Sequence, residues 1–172
     1  MTAVLVVLDT NICLDLFVFH DPSCRELYEA LNTQTISAVT REDCREEWLR
    51  VLDYPALSLS DSQKNRSKIE FDQTVHIVCC EKRDYRTLPV CSDKDDQKFM
   101  ELAYDARANW LITRDKALLK LARKNKKNGY FDIIAPRQWT ALPDSNTPNS
   151  SLHASYSWGR LLQPSFASKE LN

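Results

Sequence analysis

Two short apolar runs that each lead into an acid constrain the fold of this chain more than any other feature. The first is Val4–Leu8, followed directly by Asp9, and the second is Trp110–Ile112, followed by Thr113, Arg114 and Asp115. Short β-rich runs bounded by polar residues are typical of buried parallel strands. Because ligands bind outside the carboxyl ends of such strands, we expect Asp9 and Asp115 to lie near one another at one edge of a sheet.

The composition is typical of one globular domain. The chain has 172 residues, of which 43% are hydrophobic and 27% charged, and it is too apolar for a disordered protein. No apolar stretch approaches the ~20 residues of a membrane span, and the N-terminal run lacks the features of a signal peptide. The six cysteines show no CxxC spacing, so we expect reduced thiols and a cytoplasmic location. Ser, Asn and Pro become frequent near the end, which predicts a domain over residues 1–142 and an irregular tail over residues 143–172.

The glycine and histidine contents exclude two common kinds of site. Gly129 and Gly159 are the only glycines, whereas the GxGxxG and P-loop motifs need several where backbone amides approach phosphate. The three histidines form no pair at metal-ligand spacing. Nucleotide-loop enzymes and histidine-based zinc sites are therefore not expected.

Strand and helix signals alternate along the chain, which predicts an α/β fold. The predicted strands are residues 4–8, 35–37, 110–112 and 131–134, and the predicted helices are residues 24–31, 40–53, 61–74, 93–107 and a basic helix after Asp115. Thr40 is the predicted N-cap of its helix, and Asp93 opens another. Residues 76–80 fit either a strand or the end of the preceding helix.

The helical phase separates the acids that can face a site from those that face solvent. On the helix at 40–53, an apolar stripe runs at i, i+4, i+7 and i+8 through Cys44, Trp48, Val51 and Leu52. Glu47 borders this stripe, whereas Glu46 projects from nearly the opposite side. A site acid must lie at the rim of the core, so Glu47 is favoured.

The helix at 93–107 gives a similar choice. Phe99 and Ala103 mark its inward face, and Asp96 begins the same face three residues before Phe99. Asp93 is better placed to cap the helix, and Asp95 to point into solvent. Each of these acids, taken alone, is also explained by capping or solvation. Capping alone does not account for two strand ends and two helix rims that each present an acid to the same region.

Four segments together resemble PIN-domain ribonucleases. They are Leu8-Asp9-Thr10-Asn11, Glu47-Trp48-Leu49-Arg50-Val51-Leu52, the stretch from Asp93 to Ala103, and Leu111-Ile112-Thr113-Arg114-Asp115. The third segment most resembles the VapC-like branch of toxin–antitoxin toxins. The resemblance covers about residues 4–139.

The resemblance implies a three-layer α/β/α fold with a central, mostly parallel sheet and a metal-dependent RNase site directed at single-stranded RNA. By motif match, Asp9, Glu47, Asp96 and Asp115 would be both the catalytic acids and the metal ligands. Asn11, Thr113 and Asp93 would support them. An antitoxin protein and a homodimer or higher homo-oligomer are the protein partners that the resemblance admits, and no membrane partner is expected.

Four carboxylates are a suitable ligand set for Mg²⁺ or Mn²⁺. Gathered carboxylates raise one another's pKa values unless cations neutralise them, and hard oxygen ligands favour these ions over zinc. One or two such ions can activate water for in-line attack on a phosphodiester, so no histidine base is needed. Asn11 and Thr113 would orient carboxylates or water by hydrogen bonds.

A basic segment follows the last acid and is a candidate RNA-binding surface. Its candidate phosphate contacts are Arg114, Lys116, Lys120, Arg123 and Lys124, in a chain whose net charge is −1. A solvated helix face explains the same pattern equally well.

Two other functions fit parts of the pattern. A haloacid dehalogenase-like phosphatase also has an Asp after its first strand, but it needs Asp-x-Asp and this chain has Asn11 at the second position. A non-catalytic PIN-like module that binds RNA or protein would use the same fold, although acids at all four motif positions argue against it.

Overall fold

The computed structural model describes residues 4–139, which form five strands and seven α-helices. The strands are β1 (Val4–Leu8), β2 (Ile36–Thr40), β3 (Val75–Ile77), β4 (Trp110–Ile112) and β5 (Asp132–Ile134). The helices are α1 (Thr10–Phe17), α2 (Arg25–Asn32), α3 (Glu42–Leu52), α4 (Asp61–Thr74), α5 (Gln97–Asp105), α6 (Lys116–Lys127) and α7 (Pro136–Trp139). The predicted domain boundary at residue 142 and the predicted tail lie outside the described residues.

The five strands form one parallel sheet in the order β3-β2-β1-β4-β5. Strand β1 is central, and its Val6 is in register with Ala38 of β2 on one side and Trp110 of β4 on the other. The chain moves outward from β1 through β2 and β3, then returns to the other side of β1 with β4. The strand order therefore reverses between β1 and β4, which is where an open α/β sheet leaves a crevice for ligands.

Helices cover both faces of the sheet, as the alternation of side chains in β1 requires. Val6 and Leu8 belong to a core that includes α1, α2 and α4, whereas Val7 belongs to a core with α5 and α6. Val6 and Val7 are both fully buried, and each such side chain stabilises the fold by about 1.5–3 kcal/mol. The predicted three-layer α/β/α architecture with a parallel sheet is confirmed.

Two predicted helix starts were wrong. Thr40 is the last residue of β2 rather than a helix cap, because its carbonyl accepts the amide of Val78 at 2.9 Å and so continues the sheet. Arg41 occupies the N-cap position of α3 without a side-chain hydrogen bond. Helix α5 begins at Gln97, because the Asp93 carboxylate accepts the Asp95 amide at 2.9 Å in a local turn that competes with helix.

Two other assignments are settled by the structure. The first two residues of the undecided segment, His76 and Ile77, belong to strand β3, which pairs with β2, and the rest of the segment is neither strand nor helix. Helix α5 ends at Asp105 and not at Arg107, because Arg107 has a left-handed φ of 52° that a right-handed helix cannot continue through. Helix α1 occupies an apolar segment for which the sequence pattern predicted no element.

The six cysteines are all free. Within residues 4–139, none of the helices combines the length and the apolar character that crossing a membrane requires.

Candidate active site

Asp9 lies at the carboxyl end of the central strand and is almost completely buried, at 2% exposure. It is the N-cap of α1, where its Oδ1 accepts the backbone amide of Asn11 at 3.4 Å. Its Oδ2 accepts the hydroxyl of Thr113, from the end of β4, at 2.6 Å. Burial raises the pKa of Asp9, nearby Asp115 and Glu47 add to the rise, and the hydrogen bonds oppose it. We refer to Asp9, Glu47, Asp96 and Asp115 as the acid cluster.

Thr113 links the two strand ends that carry acids. Its fully buried hydroxyl donates to Asp9 and accepts the backbone amide of Asp115 at 2.9 Å. The Asp115 carboxylate caps α6 by accepting the amides of Ala117 at 2.6 Å and Leu118 at 3.0 Å. The sequence-based expectation that Asp9 and Asp115 meet at one sheet edge therefore has a specific cause, which is the side-by-side pairing of β1 and β4.

Glu47 reaches the same region from α3. Its Oε1 accepts the hydroxyl of Thr10 at 2.5 Å, and its Oε2 forms an ion pair with the ammonium of Lys98. The neighbouring Glu46 is exposed. Neither Thr10 nor Lys98 was predicted from the sequence, because these contacts join residues 37 and 51 positions apart and no local pattern signals them.

Asp96 immediately precedes α5 and makes no side-chain capping bond there. Its pKa is raised from 3.8 to about 6, first by burial and then by the charges of Asp9, Asp115, Asp93 and Glu47. The other three acids of the cluster all act on Asp96, so the four carboxylates share one electrostatic environment.

The supporting residues Asn11 and Asp93 are both exposed. Asn11 contacts Asp9 through its backbone amide rather than its side chain. The Asp93 carboxylate is used in the turn before α5, and its charge contributes to the raised pKa of Asp96.

The acid cluster fits a hard divalent cation by its donor chemistry. Its donors are carboxylate oxygens, and the raised pKa of Asp96 means that a positive charge placed among them would relieve repulsion. Within residues 4–139, no group of three or more His, Cys, Asp or Glu side chains is close enough to hold an ion without rearrangement. Glu47 is held through both oxygens by Thr10 and Lys98, so binding would draw this carboxylate away from at least one of its present partners. Asp115 accepts both helix amides through Oδ1, so it could bind an ion through Oδ2 without leaving them.

The predicted RNA-binding residues divide into two groups. The Arg114 guanidinium is committed to the protein itself, because it donates to Asp15 at 2.5 Å, to the Ser23 hydroxyl at 2.6 Å and to Asp21 at 3.3 Å. The others are exposed on α6 and take part in none of the ion pairs between described residues; they are Lys116, Lys120, Arg123 and Lys124.

Comparison with known proteins agrees with this architecture. The PIN domain family model matches residues 5–117, which is more than half of the chain. The fold is similar to the crystal structure of VapBC2 from Rickettsia felis bound to a DNA fragment from their promoter, with a TM-score of 0.52 and 14% identity over 76% of this chain and 98% of that chain. At this identity the likeness shows the fold alone. No curated protein matches the chain. The family match covers β1 from Leu5 onward, the whole of β4 and all four acids of the cluster, and the chain therefore belongs to the PIN domain family.

Proposed function

We propose that this protein is a Mg²⁺- or Mn²⁺-dependent endoribonuclease that cleaves single-stranded RNA and serves as the toxin of a toxin–antitoxin pair. PIN domains are generally nucleases, which makes hydrolysis of phosphodiesters the expected class of reaction. The observation that carries the proposal is the gathering of four carboxylates at the strand-order reversal, where burial first and then the neighbouring acids raise the pKa of Asp96 to about 6. Carboxylates that repel one another in a crevice are typical of a cation-dependent site.

The four acids would hold the cation through their carboxylate oxygens. When bound, Mg²⁺ or Mn²⁺ supplies a water activated for in-line attack and neutralises charge on the leaving oxygen. The chain's own contribution is positioning. Thr113 fixes the orientation of Asp9 by its 2.6 Å hydrogen bond, and the amides at the start of α6 fix Asp115. Such partners keep ligands in place for catalysis.

The exposed basic residues of α6 would hold the RNA backbone. Lys116, Lys120, Arg123 and Lys124 follow i, i+4, i+7 and i+8 spacing, so they share one helix face. This basic stripe begins one residue after Asp115, beside the acid cluster. Phosphates bound along it would bring the chain of nucleotides to the cluster without reading base sequence.

An antitoxin partner is proposed from the fold neighbour. The VapBC2 structure is that of a toxin–antitoxin complex, and this chain spans nearly all of the matched chain. A protein encoded beside this chain that binds it and blocks cleavage would support the biological role.

The first test is cleavage of a single-stranded RNA oligonucleotide with Mg²⁺ or Mn²⁺ and with EDTA. We expect cleavage that EDTA abolishes and that Asp96→Asn lowers by more than the ~100-fold upper range for loss of a positioning partner. Asp95→Asn is the matched control, because Asp95 is the exposed neighbour in the same turn. Equal cleavage by both variants would contradict the site assignment, and RNA binding without cleavage under any cation would favour a non-catalytic PIN-like module.

The second test concerns the basic stripe. Replacing Lys120, Arg123 and Lys124 with Glu should weaken RNA binding for all sequences. It should also reduce the slope of log K against log salt by ~0.7 for each phosphate that the protein no longer neutralises, as for single strands. Fluorescence anisotropy over a range of salt measures both. Binding and slope that do not change would assign these residues to a solvated helix face.

A further inference from the structure

Lys98 is the one cation that pairs with the acid cluster among residues 4–139. It lies in the first turn of α5, two residues after Asp96, and its ammonium contacts Oε2 of Glu47 on α3. Both side chains are mostly buried, at 19% and 20% exposure. None of the other ion pairs between described residues includes an acid of the cluster.

The Lys98 ion pair leaves Glu47 with both oxygens engaged. Oε1 accepts the Thr10 hydroxyl, and Oε2 faces the Lys98 ammonium. A divalent cation that uses Glu47 must therefore compete with a positive charge already at the carboxylate. A lysine ammonium is a compact charge on a flexible stem and can move away to be hydrated, whereas a bidentate arginine would hold the carboxylate more rigidly.

We infer that Lys98 is a built-in counter-ion of the acid cluster, which occupies Glu47 until a divalent cation displaces it. Lys98 thus acts through Glu47, as a competitor that lowers the affinity of the site for the cation. This inference rests on the proposed function, because it needs Glu47 to be a metal ligand. The inference predicts the direction of the change in cation affinity. Removing the ammonium removes a competitor for Glu47 and a positive charge that repels the cation, so the cation binds more tightly.

Two other roles for the ion pair give different results. If Lys98 only orients Glu47 for coordination, its removal weakens cation binding. If the pair only joins α3 to α5, its removal lowers stability and leaves cation binding unchanged. The direction of the change in affinity therefore separates the three roles.

The test is calorimetric titration of the full-length protein with Mn²⁺ at constant pH and ionic strength. For Lys98→Met, we expect the dissociation constant to fall by about tenfold, the lower end of the range by which residues next to ligands alter metal affinity. Lys98→Arg keeps the positive charge, so its dissociation constant for Mn²⁺ should equal or exceed that of the wild type. Lys94→Met is the matched control, since Lys94 is exposed and close in sequence. An unchanged or larger dissociation constant for Lys98→Met overturns the inference.

A second measurement needs no substitution. Acylation of lysines by acetic anhydride, followed by mass spectrometry of the wild-type protein, measures how free each amine is. Mg²⁺ should speed acylation of Lys98 relative to Lys94, because the displaced ammonium leaves its carboxylate. An unchanged ratio overturns the inference even if Lys98→Met does not fold.

The two proposals fail in distinguishable ways. A wild-type protein that binds no Mn²⁺ and cleaves no RNA overturns the proposed function and the inference together. A wild-type protein that binds Mn²⁺ and cleaves RNA, while Lys98→Met binds Mn²⁺ no more tightly, overturns the inference alone.

Discussion

Two groups of acids in this protein differ in the cation that accompanies them. In the Arg41 cluster, one guanidinium faces three acids, at 2.8 Å for Asp43, 3.7 Å for Glu101 and 3.6 Å for Asp105. The hydrogen bond from Arg41 lowers the pKa of Asp43. In the acid cluster, burial and neighbouring carboxylates raise the pKa of Asp96 to about 6.

The difference indicates that the acids around Arg41 stabilise the fold, whereas the charged carboxylates of the acid cluster destabilise the metal-free protein. The Arg41 cluster also fixes the long connection between β3 and α5, because Asp105 accepts the amide of Arg83 at 3.1 Å and the hydroxyl of Tyr85 at 2.5 Å. Its charges are compensated by the Arg41 guanidinium, which donates two hydrogen bonds to Asp43. The charges of the acid cluster are compensated only in part, by the single ammonium of Lys98 at Glu47, so a further cation would reduce the remaining repulsion.

The largest expected effect comes from exchanging an acid in each cluster. Asp9→Asn should lower RNA cleavage by more than ~100-fold, beyond the range for positioning partners, and should not lower the stability of the metal-free protein, because it removes a buried charge. Asp43→Asn should leave cleavage unchanged and lower the free energy of unfolding by about 0.2–1 kcal/mol, as for an exposed ion pair. Cleavage rates and urea unfolding of both variants measure this crossed pattern. Loss of cleavage in both Asp9→Asn and Asp43→Asn would contradict the prediction that only the acid cluster is needed for cleavage.

A smaller effect is expected from Thr113, whose hydroxyl serves both Asp9 and Asp115. Thr113→Val keeps the shape but removes the hydroxyl, and should lower cleavage and Mn²⁺ affinity by about 10–100-fold. Leaving the two partners unsatisfied in a buried place should also cost about 1–3 kcal/mol of stability. Thr113→Ser retains the hydroxyl and should stay close to the wild type. Unchanged Mn²⁺ affinity in Thr113→Val would show that Asp9 does not need the Thr113 hydroxyl in order to bind the ion.

The smallest effect is a pH dependence of opposite sign in the two clusters. The raised pKa of Asp96 means that its contribution to the stability of the metal-free protein is full below about pH 3.8 and is lost as the pH rises through about 6. The lowered pKa of Asp43 means that its contribution is present above about pH 3.8 and is lost as the pH falls through its lower folded pKa.

Urea unfolding in EDTA at a series of pH values tests both signs. Relative to the wild type, Asp96→Asn should remove the loss of stability between about pH 4 and pH 6, and Asp43→Asn should remove the loss at lower pH. A wild-type free energy of unfolding that rises between about pH 4 and pH 6, with no such rise in Asp96→Asn, would contradict the raised pKa of Asp96.

Much of the fold could be predicted because its signals are local. The apolar runs at Val4–Leu8 and Trp110–Ile112 were strands with the predicted bounds, and α4 had its predicted bounds of Asp61–Thr74. Periodicity records which face of an element is buried. Thr40 and Asp93 were misassigned because a residue able to cap a helix is equally able to end a strand or form a turn, and the neighbouring strand or amide decides between them.

The sequence by itself determined that this chain forms a parallel α/β sheet with acids at its strand ends and helix rims, since these depend on short-range patterns of apolar and polar residues. Only the tertiary structure decided what each charge does. Arg114 was predicted to contact RNA but holds Asp15 across 99 positions, and Lys98 holds Glu47 across 51. Which cation meets which carboxylate depends on the packing of distant helices around the sheet, and no local spacing encodes that.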